Sequence, residues 1–486
     1  MALGPFDRRE ILKLGGAAAL TVAGVRCGGG GPDDGAQLVE FDPATLMDEA
    51  PESFPLGVQA GAMTPDSVLL WTYVTDRVNE VWLSVWRAAD EPGSVYLLES
   101  HVVTPTHGYV KARVNGLGSG QYFYTFSNGS PVQYREFITV DRPGVGRYDR
   151  SRIGTFRSAF GPDESGPLTL AGITCTSLRN APFTALELLT RAPPDLTVHL
   201  GDMSYNDNAT TLSAYRSKWR ETLSQVEYQD ALAAAGFYMT WDDHEIDNNF
   251  NPESMDPGRL DAGKRAFFEA LAVERGENDR LWRSYRWGKT AEFFIVDSRS
   301  ERRPSTVGTD DPIYISHRQM DWLKRGIANS PSRYKVVLNS VPMAEMGELW
   351  NFAATDRWEG YRKQRDELVD HLIANDVEDV LFLSGDFHCG FVTRLDRKGL
   401  ARRYWEVAVG PTGNGPNPIP ALVESGDLPR EEVFPEDQFI YYSSSDRAMT
   451  WVTLDPDADG PRVRFVDARE NNHGAVLFDE TLTSAE

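Results

Sequence analysis

Cysteine is scarce in this chain, with three in 486 residues. Outside the amino-terminal segment only Cys175 and Cys389 remain, so a disulfide framework is excluded and each thiol needs its own explanation. Positive charge is deficient too. Against 72 acidic residues stand 49 basic ones, a formal net charge of −23. A field of that sign repels polyanions over a Debye length of about 8–10 Å, which argues against a general nucleic-acid binder. An anionic substrate would therefore need a local attraction, such as bound metal. Internal repeats are absent, and the GGGG after Cys27 is the one low-complexity stretch. What remains is an ordinary globular composition, 41% hydrophobic and 25% charged. At ~150 residues per domain, the length allows about three domains.

Residues 1–27 carry a twin arginine, Arg8 and Arg9, followed by an apolar run too short to span a bilayer. This pattern is that of a Tat signal peptide. It predicts export by the Tat translocase to a periplasmic, extracellular or cell-wall location, with no transmembrane helix after its removal. Lipidation at Cys27 is an alternative, although Arg26 departs from the lipobox pattern. Residues 28–50, rich in Gly, Asp and Pro, read as a linker.

From 51 to 145 the pattern is one of short alternating runs, 68–74, 81–86, 95–103, 109–114 and 122–126, separated by turn signals such as ADEPGS and NGLGSG. An all-β sandwich of immunoglobulin or fibronectin type is expected. Between 150 and 475 apolar strands alternate with helical patterns. Strands are expected at 168–173, 196–200, 237–240, 293–296, 336–338, 380–383 and 405–409, and helices near 183–190, 211–235 and 361–373. That alternation predicts an α/β (α+β) domain with mixed sheets and flanking helices. A hairpin of 449–454 with 463–466 follows, and 476–486 reads as a tail.

Ligands of open α/β sheets bind outside the carboxyl ends of the strands. Five of the predicted strands end in metal-ligand residue types: Cys175; Asp202 and Tyr205; Asp243 with His244; Asn339; and Asp386 with His388. Sorted by softness, the thiolate, phenolate and imidazole of Cys175, Tyr205 and His388 suit a transition metal, Fe(III) above all. Asp243, Asn339 and Asp386 are hard oxygen donors suited to Ca, Mn or Mg, and Asp202 can bridge the two. A bridged pair of cations suits in-line phosphoryl displacement. Each residue has a bland alternative. Cys175 can be a small buried hydrophobe, Tyr205 a packed aromatic, DDHE a helix cap with a solvated charge run, His388 a core histidine and Asn339 a strand cap. The bland reading must, however, be invoked at five separate strand ends. His199, inside an apolar strand, is expected to be core, and HEIDN does not fit the H-E-x-x-H of a zinc protease.

The segments LGDMSYND (200–207), WDDHEIDNNF (241–250), IVDSRSERRP (295–304), DRWEGYRKQRDEL (356–368) and LSGDFHCGF (383–391) resemble the alkaline phosphatase D (PhoD-like) family of calcineurin-like metallophosphatases. The segment FPLGVQAGAMTPDSVLLWTYV resembles the family's amino-terminal domain, so the likeness runs from about residue 54 to 470. The resemblance implies an enzyme that hydrolyses phosphate esters. It implies iron at Cys175, Asp202, Tyr205 and His388, and calcium at Asp202, Asp243 and Asp386, with Asn339 as a further ligand of the second metal; Mn, Zn or Mg are alternatives there. His244 matches the histidine that serves the phosphate or the leaving group, and Arg299 or Arg302 is expected to offer a guanidinium to the phosphate. Two rival readings are a phosphodiesterase acting on teichoic acids or phospholipid head groups, and a cell-surface binding protein with a degenerate centre.

Overall fold

A computed structural model describes residues 38–39, 47–88, 95–130, 148–347, 349–350, 355–443 and 447–483. The expected signal peptide, and most of the expected linker, lie outside the described residues. Among the described residues, no helix is long and apolar enough to cross a membrane.

Two mixed sheets face one another. In the first, Leu168–Ile173, Leu196–Leu200 and Gly236–Thr240 run parallel. In the second, Ala291–Ile295, Tyr334–Leu338, Val380–Ser384 and Trp405–Ala408 run parallel. Period-two alternation decides which side chains meet between them. Leu196, Val198, Leu200, Phe293, Ile295, Val336, Leu338, Leu381 and Leu383 fill one core cluster between the sheets. The alternate residues face outward under the helices: Phe237 and Met239 pack with the Leu212–Leu223 and Pro257–Ala270 helices. Phe294, Val337 and Phe382 pack with His317–Asn329 and Arg362–Ala374. The expected α/β domain with flanking helices is thus present, with strand limits close to those read from the sequence.

The expected amino-terminal β domain is present, and part of it is continuous with the first mixed sheet. One of its sheets contains Val95–Val103, Val81–Ala88 and Gln121–Ser127. Its other strands, Val58–Gly61, Ser67–Tyr73 and Tyr109–Asn115, extend the first mixed sheet past Gly236–Thr240, joined by the parallel pair Phe237↔Gly61. The junction is tight because Gly61 has no side chain: a Cβ there would lie 2.0 Å from the Ala272 carbonyl oxygen. Beside it the Gln59 amide donates to Ala270 O at 3.0 Å and accepts from Ala272 N at 2.9 Å.

Two further boundaries differ from expectation. Part of the presumed linker is strand, since Met47–Glu49 pairs with Tyr148–Arg150 and Leu38–Val39 with Val95–Val103. Within the presumed tail, Val476–Thr481 pairs antiparallel with Arg462–Asp467. Phe478 and Leu482 anchor it by entering the core, a burial that proximity to the chain's end concealed.

Glu406, buried on Trp405–Ala408, fixes the segment that follows Asn339: its carboxylate accepts from Met343 N at 2.9 and 3.0 Å and from Ala344 N. Burial pushes its carboxyl from the ordinary 4.5 up to about 7, against those hydrogen bonds. The folded carboxyl therefore holds a proton between about pH 4.5 and 7 that the unfolded chain has released. The stability this contributes is full below pH 4.5 and is lost as pH rises through 7, on the order of 3 kcal/mol. Urea unfolding of wild type and Glu406→Gln at pH 5 and pH 8 should show this component of the loss in the wild type alone. An equal loss in both proteins would remove Glu406 as its source.

Candidate metal centre

The carboxyl ends of both parallel sets converge, and in the first set one buried side chain ties two of the loops that leave them. Glu245 Oε2 accepts from Asp202 N at 3.0 Å and Asp242 N at 2.8 Å, while Oε1 accepts from Met203 N at 2.6 Å. One carboxylate thereby satisfies backbone donors from the turns after Leu196–Leu200 and after Gly236–Thr240. The two sheets are tied across the same end, where Thr240 Oγ1 donates to Val296 O at 2.8 Å and Trp241 Nε1 to Asp297 Oδ1 at 2.8 Å. Gly201, at φ +97°, makes the turn into Asp202 and leaves no room for a Cβ, which would lie 2.4 Å from that of Asp242.

Three overlapping groups of donors result. Cys175, Asp202 and His388 form one; Asp202, Asp243 and His244 a second; Asp242, Asp243 and Asp386 a third. Within each, the donor atoms all lie within 4.8 Å of one another. Asp202 links the first two groups and Asp243 the last two. Tyr205 joins the first group, its hydroxyl donating to Asp202 Oδ2 at 3.2 Å, and Cys175 Sγ is 3.5 Å from the same oxygen. Asn339, at the end of Tyr334–Leu338, gives its Nδ2 to Val341 O at 2.5 Å. Its Oδ1 is buried and makes no hydrogen bond among the described residues, and the same holds for Asp202 Oδ1. Unpaired buried oxygens are costly, and that of Asp202, which two of the donor groups share, fits a carboxylate shaped to hold a cation.

The backbone is strained at the same places. Cys175, Asp202, Asp386 and His388 have φ of 53°, 60°, 64° and 51°. The left-handed region costs non-glycine residues roughly 1–2 kcal/mol each. Hydrogen bonds over-determine these turns: Thr176 N to Asp202 O at 2.9 Å, Gly413 N to Cys175 O at 3.1 Å and Asn417 N to His388 O at 2.8 Å.

Electrostatically the centre is overloaded with negative donors. Burial, reinforced by Asp202, pushes the Cys175 thiol well above its usual range. Burial and neighbouring carboxylates do the same to Asp202, against the opposing charge of His244. Burial and Asp242 push Asp386 up to about 8. Burial and His244 hold His388 down to about 4, so it is a neutral imidazole ready to donate a lone pair. Such a donor set reaches its ionised form at neutral pH only when cations share it.

His244 differs from His388. Its Nδ1 is 2.8 and 2.9 Å from the two oxygens of Asp207, and its ring lies 4.0 Å from that of Tyr205, centroid to centroid. Burial opposes its protonation, but Asp207 and the charges of Asp202 and Asp243 prevail and bring it to about 10.

The structure thus brings together Cys175, Asp202, Tyr205, Asp243, His244, Asp386 and His388, and places Asn339 at the end of a neighbouring strand. His199 is buried, held down to about 3 by burial, with Nε2 3.2 Å from Tyr228 Oη, as a core histidine should be. The role expected of Arg299 or Arg302 is overturned. Arg299 is fully buried and its guanidinium is consumed by Asp242, Asp386 and Asp356, while Arg302 is spent on Asp356 and Phe250 O, so neither is free for a phosphate. Four participants went unassigned in the sequence. Asp242 and Glu245 stand in the DDHE run and Asp207 in LGDMSYND, beside residues already singled out. Asn414, whose Nδ2 donates to Tyr205 Oη at 2.6 Å and is 3.3 Å from His388 Nε2, lies in a Gly- and Pro-rich loop with no pattern to mark it.

Comparison with known proteins agrees with this geometry. The PhoD-like phosphatase family matches residues 170–459, and the PhoD-like phosphatase N-terminal domain matches residues 42–137. Alkaline phosphatase D of Bacillus subtilis (strain 168) is 23% identical over 455 residues, covering 80% of this chain and 72% of that protein. The solved structure of PhoD superposes with a TM-score of 0.68 at 18% identity, covering 90% of this chain and 94% of its own. A purple acid phosphatase from yellow lupin seeds superposes with a TM-score of 0.58 at 13% identity, covering 88% and 73%. The two likenesses show a shared metallophosphatase fold. With most of its length matched by the family's two domains, the chain belongs to the PhoD-like phosphatases and is a phosphoester hydrolase.

Proposed function

We propose that the chain is an exported phosphoesterase that works at a bridged two-cation centre. Fe(III) is held by Cys175, Asp202, Tyr205 and His388, and a hard divalent cation such as calcium by Asp202, Asp243, Asn339 and Asp386. The observation that carries this reading is the run of overlapping donor groups linked through Asp202 and Asp243, soft donors at one end and carboxylates at the other. The twin arginine and short apolar run of residues 1–27 support export. Cations bound there supply Lewis acidity toward phosphoryl oxygens and lower the pKa of water.

The chain's own residues do the rest. Asp202, common to two of the donor groups, and the hydrogen-bonded turns around it would hold the two sites at a fixed separation, so little reorganisation would accompany reaction. Asp207 holds Nδ1 of His244 as a donor, which fixes the ring and leaves Nε2 for the leaving oxygen. Protonated His244 neutralises charge on that oxygen or gives it a proton, a step worth about 10²–10⁴ in rate. Assay of the exported protein against phosphomonoesters, phosphodiesters and phospholipids, with elemental analysis of the same sample, tests the reading. A metal-free protein without hydrolytic activity would contradict it.

Three variants probe separate parts. His244→Ala should lower kcat by about 10² or more with metal content intact; full activity would remove it from the chemistry. Chelation of calcium should abolish turnover, and Asp386→Asn should weaken the hard cation well before the iron; turnover persisting after demonstrated loss of that cation would argue against two-metal chemistry. Phenolate bound to Fe(III) should colour the protein. Tyr205→Phe should bleach or shift the visible band, and Cys175→Ser should weaken iron retention. Unchanged colour and metal content in both variants would mean that these are packing residues only.

A further inference from the structure

The loop 412–417, just beyond the strand Trp405–Ala408, meets Cys175, Tyr205 and His388 while supplying no residue to the donor groups. Thr412 N donates to Thr174 O at 2.9 Å, Gly413 N to Cys175 O at 3.1 Å and Ser177 N to Gly413 O at 3.1 Å, so the loop runs stitched alongside Thr176. Asn417 N donates to His388 O at 2.8 Å. Between these anchors the amide of Asn414 is fixed end to end. Its Oδ1 accepts from Asn180 Nδ2 at 3.0 Å and from Gly415 N at 2.8 Å. With the oxygen engaged twice, Nδ2 is the end turned to Tyr205 Oη, 2.6 Å away, and the same nitrogen lies 3.3 Å from His388 Nε2. The Tyr205 hydroxyl gives its own proton to Asp202 Oδ2 at 3.2 Å, so toward Asn414 it accepts. A phenolate ligand has lost that proton and with it the bond to Asp202. The bond from Asn414 survives the loss and then runs to an anion, where such bonds are shorter and roughly twice as strong.

We propose that Asn414 is a positioning residue of the soft half of the centre: its amide aims the Tyr205 oxygen and, by donating to it, restrains the electron density that the phenolate gives to iron. This rests on the assignment of Fe(III) to Cys175, Asp202, Tyr205 and His388 and deepens it. Hydrogen bonds from outside a ligand set orient the ligands and tune their basicity. A restrained phenolate leaves Fe(III) poorer in electrons and therefore more acidic toward a phosphoryl oxygen. Asn180, at the end of the turn Leu178–Asn180 that follows Cys175, acts one step further out by holding the amide oxygen.

The test is the visible spectrum and the Fe(III)/Fe(II) midpoint potential of the iron-loaded full chain, with iron content measured in each sample. Asn414→Leu keeps a similar volume and deletes the donor. At equal iron content it should move the phenolate-to-iron band to longer wavelength and lower the potential, because an unrestrained phenolate donates more strongly. Asn180→Ala should move both in the same direction and by less. In a Tyr205→Phe background Asn414→Leu should move neither, since its partner oxygen is gone. An unmoved band and potential in Asn414→Leu, or an equal displacement when the Tyr205 oxygen is absent, overturns the proposal. Should Asn414→Leu fail to fold or to take up iron, Asn180→Ala decides alone, and an unmoved band there overturns it. Iron-loaded wild type without a visible band, or with a band that Tyr205→Phe leaves unchanged, defeats the assignment of Tyr205 to iron; that outcome is distinct from failure of the Asn414 role, which falls with it.

Discussion

The carboxylate of Glu245 collects backbone N–H groups from two separate turns, after Leu196–Leu200 and after Gly236–Thr240, and the turns that carry Asp202 and Asp243 are placed relative to that junction. Without it, at least three buried donors would be left unpaired, each costing about 1–3 kcal/mol. The Gly201–Asp202 turn would also be free to relax from its left-handed conformation. Asp202 and Asp243, the two residues that link the donor groups, lie on the turns that Glu245 holds. Rigidity here serves chemistry, because displacement at phosphorus gains mainly from positioning and preset charge.

The same region concentrates the chain's excess of acid. A surface of formal charge −23 repels phosphate esters. The described site reverses that only when cations balance its thiol, phenol and carboxylates. Protein cations contribute unevenly. Arg299 is committed to the carboxylates behind the site, whereas His244, fixed by Asp207, is the protein cation in one of the donor groups themselves.

Much of this was legible in the sequence, for identifiable reasons. Parallel strands such as Leu196–Leu200 and Val380–Ser384 are buried along their whole length and read as short apolar runs, so their ends, and the ligand types just beyond them, stood out. Contacts between distant segments were not legible. Nothing local in Gly61 announces that the Ala272 carbonyl occupies the space of its missing side chain. Arg299 follows a strand end just as a phosphate-binding arginine would, and only the fold reveals that Asp242 and Asp356 claim it. Asn414 reaches Tyr205 across a separation of 209 residues.

The central proposal, that strand-end turns, two of them tied together by Glu245, would assemble a mixed soft and hard cation centre, is tested most directly by anomalous diffraction from crystals of the metal-loaded protein at the iron edge. The account predicts one strong peak within about 2–2.5 Å of Cys175 Sγ, Tyr205 Oη, a nitrogen of His388 and an oxygen of Asp202. A second site, silent at that edge, should lie among Asp202, Asp243 and Asp386. Absence of the iron peak, or its appearance away from Cys175 and Tyr205, would contradict the account.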